Sequence, residues 1–189
     1  MSSSSVSAPP SYKAILKQYN ESTGNVRGYF SELPSLLKDN YSYEVSLAYL
    51  FLETERAHNR TLYCGVVKLH HADSSIADTI VNAQHITREG FLDLYKNIFS
   101  KRLPDAINSR LKKAEKIRDR VIHGKGASDP EMRQAHVDVI EYAETMNNEL
   151  KTIAGFEPFG DLRGFKGRAD SLDKQTSRWL LKGIGFTVS

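Results

Sequence analysis

Apolar positions recur at helical spacing through most of the chain's middle, where proline and glycine are scarce. Over residues 43–71, after the Asn40, Tyr41, Ser42 turn, one row holds Val45, Tyr49, Leu52, Tyr63, Val66 and Val67. A second row of Leu47, Phe51, Leu62 and Leu69 widens the stripe, which predicts a long helix packed on more than one side. Asp73 or Ser74 reads as the N-cap of a second helix through Ile76, Ile80 and Val81. Gly90 is expected to divide that stretch, with Phe91, Leu94, Tyr95, Ile98 and Phe99 in its later part. Pro104 suits the first turn of a helix that carries Ile107, Leu111, Ala114, Ile117, Val121 and Ile122 and stops at Gly124. Asp129, Pro130 and Glu131 open another, running to about Ile153. Upstream, residues 11–19 and 26–38 fit short helices, the second limited by Pro34.

Alternating strand patterns are nearly absent, and no solenoid repeat is visible. The expected architecture is all-α: an antiparallel helical bundle of four to five main helices over residues 11–154. Residues 1–10, MSSSSVSAPP, read as a disordered leader without the basic start and apolar stretch of a secretory signal. From Gly155 the composition changes. Residues 155–189 hold six of the twelve glycines, among Phe156, Phe159, Phe165, Arg163, Lys166 and Arg168. A short helix at about residues 171–182 bears Trp179, Leu180 and Leu181. This Gly- and Phe-rich tail is expected to pack on the bundle, its rings either folded onto the core or stacked on bases.

With 189 residues, 40% of them hydrophobic, the chain suits one compact domain, or a domain with an appendage, and not a disordered polymer. Its one cysteine, Cys64, excludes an intramolecular disulfide framework and a thiolate zinc site, and reads as a buried core thiol. No apolar run approaches the ~18 residues of a membrane span. A soluble, cytoplasmic protein is the expectation.

Two places break the apolar pattern. On the helix from Pro104, Arg118 falls near the centre of the face formed by Ile107, Leu111, Ala114 and Val121. A guanidinium keeps its charge, so it must meet a carboxylate, snorkel to water or line a polar cleft. His123 follows in the last turn, as a helix C-cap favoured by the dipole or as a proton-transfer group. Asp119, one turn before it, is spaced to orient its imidazole. Nine basic residues lie between Lys101 and Lys125 against three acids, whereas the whole chain carries +3. Lys113, Lys116, Arg120 and Lys125 in that run suit a polyanion such as RNA, or form a solvated helix face. In the first long helix, Glu55, Arg56 and Asn59 sit in mid-stripe and need partners. The expectation is that this band faces the Arg118–His123 region, pairing with it or completing its pocket.

The string Ile117, Arg118, Asp119, Arg120, Val121, Ile122, His123, Gly124 resembles the signature of the HEPN superfamily (higher eukaryotes and prokaryotes nucleotide-binding). That signature is an arginine, often followed directly by a polar residue, then a histidine after four to six residues. The resemblance implies an all-α fold over roughly residues 43–153 and, in many members, a metal-independent endoribonuclease of toxin–antitoxin or defence systems. It implies a homodimer that brings two motif copies into one cleft, with Arg118 and His123 as the catalytic pair and Asp119 as the polar position. An antitoxin or defence-system protein is an implied partner. A non-catalytic helical module binding RNA or protein, or an accessory subunit of a nucleotidyltransferase, is the alternative.

The chemistry needs no cofactor. RNA carries its own nucleophile, the 2′-OH; a histidine moves the proton and an arginine steadies charge on the phosphate. A two-fold dimer supplies the second proton-transfer group. No metal is expected: His70 and His71 point about 100° apart on a helix, and His58, His85 and His136 have no ligand-spaced partners. No glycine loop of the phosphate-cradling kinds occurs.

Overall fold

The computed structural model describes residues 8–39, 41–163, 165 and 170–188. These form nine helices and no strand, so the chain is all-α. In order they are α1 (Tyr12–Glu21), α2 (Gly24–Tyr29), α3 (Leu33–Lys38), α4 (Tyr43–Leu69), α5 (Ser74–Asn82), α6 (Arg88–Phe99), α7 (Asp105–Ile122), α8 (Asp129–Ala154) and α9 (Lys174–Ile184). Residues 1–7 of the expected leader lie outside the described residues, as do Lys166 and Arg168 of the tail.

The spacing argument misplaces two breaks. Residues 26–38 form two helices, because Pro34 occupies the first turn of α3, where a missing N–H is harmless. The gap between α5 and α6 precedes Gly90. Thr87 caps α6, its hydroxyl accepting from the Gly90 N–H at 3.1 Å, so Gly90 lies in the first turn.

On α4 the buried face matches the expected one in part: Leu47, Phe51, Leu62, Val66 and Val67 are buried. Leu47, Leu50, Thr54, Ala57, Thr61 and Cys64 are buried at alternating three- and four-residue steps, while Val45 and Leu52 are 45% and 49% exposed. The reason is that threonine passes as polar in a sequence but as apolar in a helix that satisfies it. Thr54 and Thr61 donate to the carbonyls of Leu50 and Ala57, each at 2.8 Å. Arg56 and Asn59 share the face of Val45 and Leu52, so they stand on the outward side and not in mid-core.

Packing divides the chain into two units. The first comprises Met1–Thr54 and Asp105–Thr145. Its buried side chains include Ile15, Phe30, Leu33, Phe51, Leu111 and Val139. Tyr29 donates to the Glu53 carbonyl at 3.1 Å, and Arg110 of α7 pairs with Glu141 of α8. The second comprises Glu55–Pro104 and Met146–Ser189. There α4 and α6 approach so closely that a Cβ on Gly65 would stand 2.6 Å from Ile98 Cγ2 and 2.8 Å from Phe99 Cζ. Asn147 brackets the tail, donating to the Phe159 carbonyl and accepting its N–H, both at 2.9 Å. Phe156 and Phe159 are buried, which decides their use in favour of the core. Trp179 is not: it is 66% exposed. No helix among the described residues is long and apolar enough to cross a membrane.

Candidate functional site

The end of α7 is built by its glycines. Gly124 has φ of +68° and Gly126 +63°, the left-handed region. Gly124 N–H donates to Val121 O at 3.0 Å and Lys125 N–H to Arg120 O at 2.9 Å. That is a Schellman closure, which makes His123 the C-cap residue. Its side chain is exposed, and no hydrogen bond to its ring occurs among the described residues.

Burial fades along this helix: Ile107, Leu111 and Ala114 are buried, Ile117 and Val121 half-buried, Ile122 67% exposed. Arg118 therefore sits where core gives way to solvent. Its guanidinium carbon lies 4.6 Å from the centre of the Phe51 ring. Nε and Nη2 donate to Asp119 Oδ1 at 3.1 and 2.9 Å. So it meets a carboxylate while also walling a cavity of about 270 Å³ with Glu44, Val45, Leu47, Val121 and Ile122. The expected pairing of Asp119 with His123 is not formed. The Arg118 side chain reaches the carboxylate first, and His123, as the cap, turns out to solvent.

The basic run is partly neutralised from outside itself. Arg120 is not an open cation. Nη1 and Nη2 each reach Glu131 at 2.9 Å, and Nε and Nη2 also donate to the Gly126 carbonyl at 3.3 and 3.2 Å. Glu131 further accepts from the Ser128 N–H and hydroxyl, at 2.9 and 2.8 Å. These bonds, first among them those from Arg120, hold its carboxyl down at about 2. Arg120 thus clamps the 124–128 loop to the start of α8. Lys113 borders a second cavity, of about 320 Å³, with Ile117, Gln134 and Asp138. Burial raises the Asp138 pKa, against the pull of Lys113 and Arg110. Lys112, Lys116 and Lys125 are exposed.

Arg56 and Asn59 line a different cavity, of about 230 Å³, with Arg60, Tyr63, Asp78 and Asn82; Glu55 is exposed. The Arg118 cavity takes its α4 residues from Glu44 to Ala48. The expectation rested on those residues sharing a buried stripe, but Val45 and Leu52 of that stripe are exposed, Arg56 is exposed and Asn59 half-buried. Sequence reasoning also missed Phe51 as the ring beneath Arg118, and Glu131 with Ser128 as the loop clamp. The Ser128-to-Glu131 spacing, a capping box, was the available signal.

A second histidine of the same unit is enclosed. His136 is fully buried. Its Nδ1 donates to the Met132 carbonyl at 2.7 Å, and Nε2 accepts from the Ser46 hydroxyl at 2.7 Å. Burial pushes its pKa down to about 4. Despite the Ser–His contact, no substrate can reach it. No group of three or more His, Cys, Asp or Glu arranged for a metal occurs among the described residues. No protein-family model, no curated protein and no solved structure matches this chain.

Proposed function

We propose that the solvent end of α7 is an RNA-cleaving site of a metal-independent endoribonuclease, the HEPN-type activity that the motif resemblance implies. The observation that carries the reading is the exposed, unbonded imidazole of His123. It follows Arg118 by just over one helical turn, beside exposed Lys116 and Lys125. His123 takes the proton of a ribose 2′-OH as that oxygen bonds to the adjacent phosphorus. The P–O5′ bond breaks, the 5′ oxygen takes up a proton, and a 2′,3′-cyclic phosphate remains. Arg118, stiffened by the Phe51 ring and Asp119, steadies charge on the phosphoryl oxygens. Exposed Val45 and Ile122 border this region and suit a seam with a second copy, whose His123 would supply the second proton transfer. Such an enzyme would work in the cytoplasm, where its substrate is.

A second reading, a non-catalytic helical module that binds RNA or a protein, is favoured by two observations. Asp119 is held by Arg118 instead of orienting His123, and Arg120 is spent on the loop. Incubation of the full chain with labelled single-stranded RNA in EDTA separates the two. The enzyme reading expects cleavage that ends in 2′,3′-cyclic phosphate and is lost in Arg118→Ala and His123→Ala with helicity and oligomeric state unchanged. RNA bound but uncut supports the module; RNA neither bound nor cut refutes both RNA readings.

A further inference from the structure

Within one packing unit, α7 and α8 leave a cavity of about 320 Å³, near the lower end of the roughly 300–1,000 Å³ usual for small-molecule sites. Ala8, Ile117, Pro130 and Ala135 give it apolar walls. Arg133 Nε donates to the Pro9 carbonyl at 2.6 Å, which seats the neighbouring Ala8 there. Glu131 also lines the cavity, with its carboxylate taken up by Arg120 and Ser128.

Asp138 is the odd group in this setting. It lines the cavity and yet is only 9% exposed. Gln134 Nε2, one turn earlier on α8, donates to its Oδ1 at 3.1 Å. Oδ2 has no hydrogen bond among the described residues. Nor is Oδ2 one of the side-chain atoms sealed off without a partner, so it opens to the cavity. Burial raises the Asp138 pKa, while the Gln134 amide, then Lys113 and Arg110, pull it back down. Arg110 is committed to Glu141. Lys113, one turn before Ile117 on α7, borders the cavity and is exposed.

We propose that this cavity takes a guanine base, whose N1–H and N2–H donate to the Asp138 carboxylate, with a phosphate of the same nucleotide on Lys113. The donor edge selects the base. Guanine presents two adjacent N–H donors, and the carboxylate can accept both, at the unbonded Oδ2 and at the second lone pair of Oδ1. Adenine and cytosine set their amino group beside a ring acceptor, and uracil holds its N3–H between two carbonyls. Each of these turns a lone pair toward Asp138. An organic ammonium fits less well, because Lys113 and Arg110 already offset the carboxylate and Lys113 repels a second cation. The cavity includes neither Arg118 nor His123, so the inference stands whether or not the chain cleaves RNA.

Calorimetric titration of the full-length protein with the guanosine, inosine, adenosine, cytidine and uridine 5′-monophosphates tests it. Inosine lacks the 2-amino group, and with it one of the two donors. Its nucleotide should bind about tenfold or more weakly than that of guanosine, and the other three no better than inosine's. Asp138→Asn should weaken the guanosine nucleotide by about tenfold or more. Lys113→Ala should weaken it severalfold and leave guanosine itself unchanged. The guanosine–inosine comparison needs only the parent protein, so it decides the matter even if Asp138→Asn fails to fold. Uridine pentanucleotides with a central guanosine or adenosine, bound to His123→Ala protein, tell the source of the base. A preference of about tenfold for the first places the guanine within RNA, and equal affinity assigns the site to a free nucleotide. Equal binding of the guanosine and inosine nucleotides would overturn the inference. So would no binding of either, or binding of benzylamine with none of the guanosine nucleotide.

Discussion

His123 and His136 belong to the same unit and are chemically the same side chain, yet their surroundings give them opposite roles. His136 has both ring nitrogens bonded, no exposure and a pKa pushed down to about 4. His123 caps a helix, faces water and has no bonded ring nitrogen among the described residues. One ring is a fixed part of the core that must stay neutral; the other is available to an incoming group. A histidine's function here is set by which helix end or interior receives it, and the two positions should respond to perturbation in opposite ways.

The largest expected effect is on activity. His123→Ala should lower RNA cleavage by roughly 10²–10⁴-fold and leave the thermal unfolding midpoint nearly unchanged, read by initial rates and by circular dichroism. Conversely, His136→Ala should cost about 2–4 kcal/mol of stability, seen in denaturant unfolding, while the rate per folded molecule stays close to that of the parent. If His123→Ala destabilised as much as His136→Ala, the distinction between the two rings would be gone.

Acid sharpens the same contrast. The unfolded chain protonates His136 near the ordinary 6.5, but the folded chain resists until about 4. Its contribution is therefore complete at neutral pH, is lost as pH falls between those values, and changes no further below. By pH 5 about 1–2 kcal/mol should be gone. His58 acts in the same direction, its pKa held at about 3 by burial and then by the Arg88 guanidinium. In His136→Gln the slope of stability against pH between 6.5 and 4.5 should shrink by about one proton without vanishing. An unchanged slope would mean that His136 is not the neutral, enclosed group its bonds describe. Ser46→Ala, which strips the donor from Nε2, should cost about 1–2 kcal/mol.

Much of the fold could be read before any coordinates, and the reasons for the failures are specific. Gly124 stopping α7, Asp73 capping α5 and the proline start of α8 are local signals, and local signals held. On α4 Leu47, Phe51, Leu62, Val66 and Val67 were read correctly as buried, but Thr54 and Thr61 were missed because they hide their hydroxyls in backbone bonds, a satisfaction that no polarity scale registers. The same error carried Arg56 and Asn59 into an imagined core. At the candidate site the basic run was counted only against acids inside it. Glu131 and Glu141, which pair with Arg120 and Arg110, lie on the next helix and belong to the tertiary structure. Trp179 is exposed for a related reason: the α9 face that packs is chosen by α5 and α6, not by the largest side chain on the helix.

A modest effect, read on both stability and cleavage, tests whether the exposed end is organised at all. A Cβ at Gly124 meets nothing within 4 Å, so no clash forbids a side chain there. The obstacle is its φ of +68°, which costs an alanine about 1 kcal/mol. An alanine can relax that strain by opening the Schellman closure, which releases the Lys125 N–H from Arg120 and shifts His123 relative to Arg118. Gly124→Ala should therefore lose about 1 kcal/mol of stability and a larger share of cleavage. Gly124→Asn, which tolerates the left-handed region, should recover most of both. Parallel kinetics and unfolding curves on the two variants decide the point. If cleavage falls no further than stability does, the cap does not position His123, and its openness to solvent is incidental to the chemistry.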